Sequence, residues 1–204
     1  MKRQTGVGMI EVLITLFILS IGLLGVASMQ FIGSFSNKDA LSRTQAVMVA
    51  QQMSERLRAS VVPSLSSDGF VVSNQYFEAN NYNFSGLACP GNNPFQCFCL
   101  AIPAAVTDCQ ANTCTADQIA QFDAYQMSCA AVESNPNATI SVTCDDKIAG
   151  DGDACSAGSI HSIVVSWPSV GWRDGAAGSA RVENANCNAG GATGNDCVIL
   201  QVGL

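Results

Sequence analysis

The 204-residue chain carries 16 acidic against 9 basic side chains, and from Pro63 onward only Lys147, Arg173 and Arg181 are basic. A domain so acidic repels phosphate backbones and anionic lipid, which argues against nucleic acid and against broad contact with a charged membrane surface. Length allows one or two folding units, and setting aside roughly the first sixty residues leaves one unit with room for a core.

Lys2 and Arg3 precede Gly6, and Val7-Gly8-Met9-Ile10-Glu11-Val12-Leu13 opens an apolar run in which no residue from Val12 to Asn37 is charged. As a helix that run is about 39 Å long, more than the ~30 Å hydrocarbon core, so a transmembrane segment is expected over about 12–37. Glu11 stands just inside it. A carboxylate carried to the bilayer centre costs roughly 2.5–3.5 kcal/mol on insertion scales, so Glu11 reads as functional. Gly25-Val26-Ala27 before Ser28 has the small-x-small form of an ordinary signal-peptidase site, which would leave a secreted soluble module. Signal peptides, however, have apolar regions of only about 7–15 residues, and a carboxylate has no use in a discarded segment. Gly22, Gly25 and Gly33 each cost about 1 kcal/mol against alanine in a water-exposed helix, whereas in a membrane they let helices approach. Charge does not orient the span, because Lys2 and Arg3 on one side face Lys38 and Arg43 on the other.

Gly6 followed by this heptad, with two cations upstream, resembles the class III signal of type IV pilins and pseudopilins. The resemblance implies that a prepilin peptidase removes the leader 1–6 by cutting between Gly6 and Val7, then methylates the Val7 amine, and that the apolar segment is kept. Valine stands where the family usually has phenylalanine. Glu11 matches the acid at mature position five, which in the family pairs with the amine of an adjacent subunit. Ser20-Ile21-Gly22-Leu23-Leu24-Gly25-Val26-Ala27 and Gln51-Gln52-Met53-Ser54-Glu55-Arg56-Leu57-Arg58 extend the likeness to the minor pilins called type IV pilus modification proteins (PilV). The likeness implies a single-pass inner-membrane protein with a periplasmic C-terminal domain that later sits at or near the tip of the pilus, the fimbrium. Its partners would be the prepilin peptidase, the inner-membrane assembly platform, other minor pilins, the major pilin and a tip adhesin. A minor pseudopilin of type II secretion shares the cleavage logic and stays as the alternative. The acidic domain disfavours a DNA-uptake pilin.

The polar stretch after Lys38 continues without a breaker, and Ala46, Ala50, Met53, Leu57 and Val61 recur at steps of three or four. That spacing predicts one helix over 7–62 with an apolar stripe on its second half. Straight, it would measure about 84 Å. Arg43, Glu55, Arg56 and Arg58 read as its solvated face. Pro63 closes it, since the residue before a proline avoids helical geometry. No proline lies between Met1 and Val62, a departure from many major pilins.

The region 63–204 is expected to form a periplasmic α+β domain. Residues 64–83 read as loop with one strand near Phe70-Val71-Val72, and 84–114 as a cysteine-dense segment that is stapled rather than packed. Thr115-Ala116-Asp117-Gln118 is a capping box for a helix over 116–132, with Ile119, Phe122, Tyr125, Cys129 and Val132 on one side. Asn135-Pro136-Asn137 is a turn, and turn chemistry accounts for the sequon form of Asn137-Ala138-Thr139. Strands are expected at 139–144, 160–167, 180–183 and 197–202. The fold class is therefore α+β and pilin-like: a long N-terminal helix packed on a disulfide-stapled antiparallel sheet.

All ten cysteines lie after the apolar run, an even number that reads as disulfides in an oxidising compartment. Zinc fits poorly, because Cys97-Phe98-Cys99 is too tight for usual ligand spacing and His161 is the one histidine. Local pairs are expected: Cys187–Cys197 and Cys144–Cys155, each closing about ten residues for roughly 2–3 kcal/mol, and Cys109–Cys114. Asp145, Asp146, Asp151 and Asp153 raise a weak calcium possibility, but the spacing is not that of an EF-hand loop, so a solvated loop is preferred and no metal or other cofactor is expected. His161 has no nearby cysteine or serine arrangement that suggests a catalytic pair, and its place in a β run favours a structural role. No nucleophile-elbow, zinc-protease or phosphate-loop pattern occurs, so the chain does not read as an enzyme.

Overall fold

No proline interrupts residues 9–59, and the computed structural model shows them as one helix, α1 (Met9–Ala59). The structure describes residues 8–66, 69–88, 93–168, 187 and 194–204. It divides into two compact units, Met1–Leu41 and Ser42–Leu204. In the first, apolar side chains from Met9 to Phe31 are exposed all round the helix, the pattern of a helix that meets lipid or other helices rather than its own core. This stretch is long and apolar enough to cross a membrane.

In the second unit α1 becomes one-sided. Ala46, Val49, Ala50, Met53 and Leu57 are buried, and Met53 and Leu57 are fully so. The helix ends at Ala59, three residues before the expected Val62, where the Ser60 amide donates to the Arg56 carbonyl at 3.0 Å. Val62 and Pro63 instead form β1, which pairs antiparallel with β2 (Phe70–Val71). The proline holds Val62 extended as expected, but the helix has already ended at Ala59. Two 3₁₀ turns follow, Asn74–Phe77 and Ala79–Asn81.

Helix α2 (Ala116–Ser134) opens with the capping box: Thr115 Oγ1 accepts from the Gln118 amide at 3.3 Å, and Gln118 Oε1 accepts from the Thr115 amide at 3.0 Å. Its face toward the main core is not the aromatic one. Ala120, Ala124, Met127 and Ala131 join the core cluster, and the small size of the alanines lets α2 approach closely. Phe122 and Tyr125 are buried on another side, and Tyr125 donates to the Phe98 carbonyl at 2.7 Å in the cysteine-rich segment.

The sheet has order β3–β4–β5, with β3 (Thr139–Asp145), β4 (Ile160–Pro168) and β5 (Asn195–Gly203) all antiparallel. Thr139 lies opposite Ser166, and Ile160 opposite Gly203. Alternation turns Ile140, Val142, Ile163, Val165, Trp167 and Val202 inward, where they meet the α1 stripe and the α2 alanines. The expected strand at 180–183 lies outside the described residues. β3 is an edge strand, and Asn83 covers part of it: its side-chain amide donates to the Ile140 carbonyl and accepts from the Ile140 amide, both at 2.9 Å. A side-chain amide thereby stands in for a neighbouring strand.

Arg56 departs from its expected role. It pairs with Asp123 on α2, its side chain only 32 % exposed and that of Asp123 10 %. The second Asp123 oxygen accepts from the buried Tyr76 hydroxyl at 2.6 Å, and Tyr82 donates to the Tyr76 carbonyl at 2.7 Å. Burial first, and then the Asp123 carboxylate, push the Tyr76 phenol well above its ordinary range. Both Asp123 oxygens thus carry bonds that tie α1 and the first 3₁₀ turn to α2. Asp123→Ala should cost about 2–4 kcal/mol, because it strands a partly buried cation and a buried hydroxyl. Tyr76→Phe should cost less. A urea titration of the detergent-solubilised chain, followed by tryptophan emission, measures both.

Candidate functional site

The first turn of α1 carries the acid singled out from the sequence. The Gly8 carbonyl accepts from the Glu11 amide at 2.9 Å and from the Val12 amide at 3.4 Å, so Glu11 sits where unpaired amides give the helix end partial positive charge. Its side chain is exposed, with no hydrogen bond or ion pair among the described residues. Gly6 and Val7 lie outside the described residues. The hydroxyls within the apolar run satisfy themselves: Thr15, Ser20 and Ser28 donate to carbonyls three residues earlier, at 2.9, 2.7 and 2.8 Å. These bonds satisfy polar groups that lipid cannot, and they leave Glu11 as the one charged side chain between Met9 and Asn37. Helical geometry runs unbroken through Gly25-Val26-Ala27.

The cysteines bond both between regular elements and within loops. Cys109 is bonded to Cys114, Cys144 to Cys155 and Cys187 to Cys197. Cys99, at the end of a π-helical turn (Phe95–Cys99), is bonded to Cys129 on α2, 30 residues away. Cys97 is also disulfide-bonded. The long-range pair escapes a reading that favours short loops. The signal for it is Cys129 itself, which falls on the aromatic side of α2.

His161, expected to be structural, has a cysteine neighbour in space. The register sets it opposite Cys144, and its Nε2 lies 3.2 Å from Cys155 Sγ. Because those two sulfurs are bonded to each other, neither is a thiolate that could act as nucleophile or metal ligand, although the three groups lie within 4.8 Å. Burial, with 2 % of the residue exposed, lowers the His161 pKa from 6.5 and keeps the ring neutral.

The acidic loop is bonded into itself. Asp146 Oδ1 accepts from the Ser156 amide and hydroxyl, at 2.9 and 2.5 Å, and these bonds hold its carboxyl below the usual range. Asp151 accepts from the Asp153 amide at 3.0 Å, and Asp153 accepts from the Ser64 hydroxyl at 2.7 Å. Asp145 is exposed at the end of β3. Asp146, Asp151 and Asp153 each hold a donor of the chain, and the four carboxylates form no metal-ligating group among the described residues.

The prokaryotic N-terminal methylation motif matches residues 1–27, the stretch that contains Gly6, Val7 and Glu11. This is the type IV prepilin-like motif, and it stands here on an α+β, pilin-like architecture with a long apolar N-terminal helix. Motif and helix together fit membrane anchoring. No curated protein and no solved structure matches the chain.

Replacing Cys99 and Cys129 by alanine should lower unfolding stability more than replacing Cys109 and Cys114, because loop-closure entropy grows with the residues enclosed. The chain-entropy estimates are about 3–4 and 2–3 kcal/mol, read from paired urea titrations. The unfolded chain protonates its histidine near pH 6.5, whereas the folded chain does so only at lower pH. Stability is therefore fully present above about pH 6.5 and falls as the pH drops below it, with a slope approaching 1.4 kcal/mol per pH unit. His161→Asn should flatten that decline when unfolding is measured between about pH 7.5 and 5.

Proposed function

We propose that the chain is a minor pilin of the type IV pilus system, of the kind represented by the type IV pilus modification proteins. The observation that carries this reading is a carboxylate in the first turn of an otherwise apolar helix, inside a methylation motif. Prepilin peptidase would cleave between Gly6 and Val7 and methylate Val7, leaving an amine four residues from Glu11. A lone Glu11 in hydrocarbon costs roughly 2.5–3.5 kcal/mol near the bilayer centre. Pairing with the amine of a neighbouring subunit removes most of that cost and fixes the register between helices that otherwise slide.

The protein would wait as a single-pass inner-membrane protein with its domain in the periplasm. It would then join other minor pilins on the assembly platform, prime growth of the major pilin and remain near the tip, where a tip adhesin is presented. The disulfides suit an oxidising periplasm, and the role is one of assembly rather than catalysis. The type II secretion pseudopilin shares the carrying observation and stays as the second reading. Loss of twitching in a deletion strain supports the pilus, whereas loss of enzyme export with twitching intact supports secretion.

Glu11→Ala is expected to leave cleavage intact and to deplete the protein from sheared pili. Mass spectrometry of the mature N-terminus, with methylated Val7 expected, checks processing, and immunoblots of shear fractions check incorporation. A mature chain beginning at Ser28 would overturn the reading.

A further inference from the structure

Beside the stapled segment lies a cleft of about 210 Å³ whose walls include Asn80, Asn81, Phe84, Val106, Gln121 and Tyr125. None of its lining residues is charged. It is smaller than the ~300 Å³ at which pockets for drug-sized ligands begin, so it suits one ring-sized group. We propose that this cleft binds a neutral sugar ring, taking its apolar face against Phe84 and its hydroxyls with side-chain amides.

The aromatic wall is held under strain. Asn83 and Phe84 are consecutive non-glycine residues in the left-handed region, with φ of 56° and 59°. Such geometry persists only where surroundings enforce it, and here Asn83 is enforced by its bonds to Ile140 and by donation from its amide to Ser128 Oγ at 2.9 Å. The outcome is a Phe84 ring stacked on Phe98, with centroids 4.8 Å apart, and edge-on to Tyr125 at 6.4 Å. One face of the Phe84 ring is thus taken by Phe98, while the ring also lines the cleft.

The amides are oriented by their neighbour. Gln75 Oε1 accepts from Asn81 Nδ2 at 3.1 Å and from Gln121 Nε2 at 3.2 Å, and Asn81 Nδ2 also donates to the Gln75 carbonyl at 2.8 Å. Both Asn81 donors and one of the two Gln121 donors are thereby engaged, and the Asn81 and Gln121 side-chain carbonyl oxygens have no hydrogen-bond partner among the described residues. Fixed neutral acceptors beside an aromatic ring match a ligand with hydroxyl donors and a C–H face, and they offer nothing to neutralise a charged one. Val106 stands in the span between Cys99 and Cys109, both disulfide-bonded, so the opposite wall is held before any ligand arrives.

The test is saturation-transfer NMR on the full chain in lipid nanodiscs. The probes are the methyl glycosides of glucose, galactose and N-acetylglucosamine, with methyl glucuronide and acetyl-proline amide in parallel. Transfer to the ring C–H protons of a neutral glycoside is expected, with loss of that signal in Val106→Trp, which fills the cleft. Asn80→Ala changes an exposed wall residue and should weaken the signal at an unaltered melting temperature. No transfer from any neutral glycoside, transfer that survives Val106→Trp, or stronger transfer to the glucuronide or the peptide would overturn the proposal.

Discussion

Burial of one stripe of α1 is the constraint on which the Ser42–Leu204 unit rests. Met53 and Leu57 are wholly enclosed, and the inward side chains of all three strands close over the same stripe. A sheet of three strands with one apolar face is not stable bare, so it needs a helix to cover it. The cover comes from a helix whose other end is apolar on every side. The change from all-round to one-sided hydrophobicity is therefore the main structural event in α1, and it happens without a proline and within one continuous helix. Arg56 marks the flank of the stripe. Its pair with Asp123 fixes α1 against α2 in rotation as well as position, because Tyr76 binds the other carboxylate oxygen.

Two different solutions hold the two sides of α2. Toward the core, alanines at 120, 124 and 131 bring the backbone close and need no large side chains. On the other side Tyr125 and Cys129 meet a segment with little regular structure. That segment lacks the apolar periodicity to pack by itself, so a covalent bond and a hydroxyl-to-carbonyl bond do what burial does elsewhere. Disulfides act chiefly by limiting the unfolded chain, so the Cys99–Cys129 bond holds this segment without needing it to bury a large apolar face.

The parts of this fold legible in the sequence are those written as a period. The steps of Ala46, Ala50, Met53 and Leu57, the alternation of β3 and β4, and the hydroxyl and amide of the α2 capping box each depend on residues within a few positions of one another. The illegible parts depend on partners far along the chain. Arg56 looks solvated until Asp123 is placed against it, 67 residues on. His161 looks isolated until the loop after β3 folds Cys155 back over it. The α2 core face is hidden for another reason: alanine is weakly apolar, so an aromatic stripe outscores it although the alanines make the closer contact. Of the N-terminal site, Glu11 is placed by the structure, whereas Gly6 and Val7 lie outside the described residues and within the matched motif.

Asp123 and Glu11 present the same chemical problem in different surroundings. Asp123 is enclosed by protein, and the chain supplies both partners, a guanidinium and a phenol, from elements that must pack there anyway. Glu11 stands on a helix surface with only the partial charge of the helix end to favour it. In water that would suffice, since an exposed carboxylate needs no partner. In hydrocarbon it does not, because neither lipid tails nor the neighbouring side chains of α1 can solvate it. A carboxylate in such a place, with no partner among the described residues, is what the proposed pairing with a neighbouring subunit would satisfy. Under the proposed function, that unmet carboxylate is what would give the helix a reason to assemble.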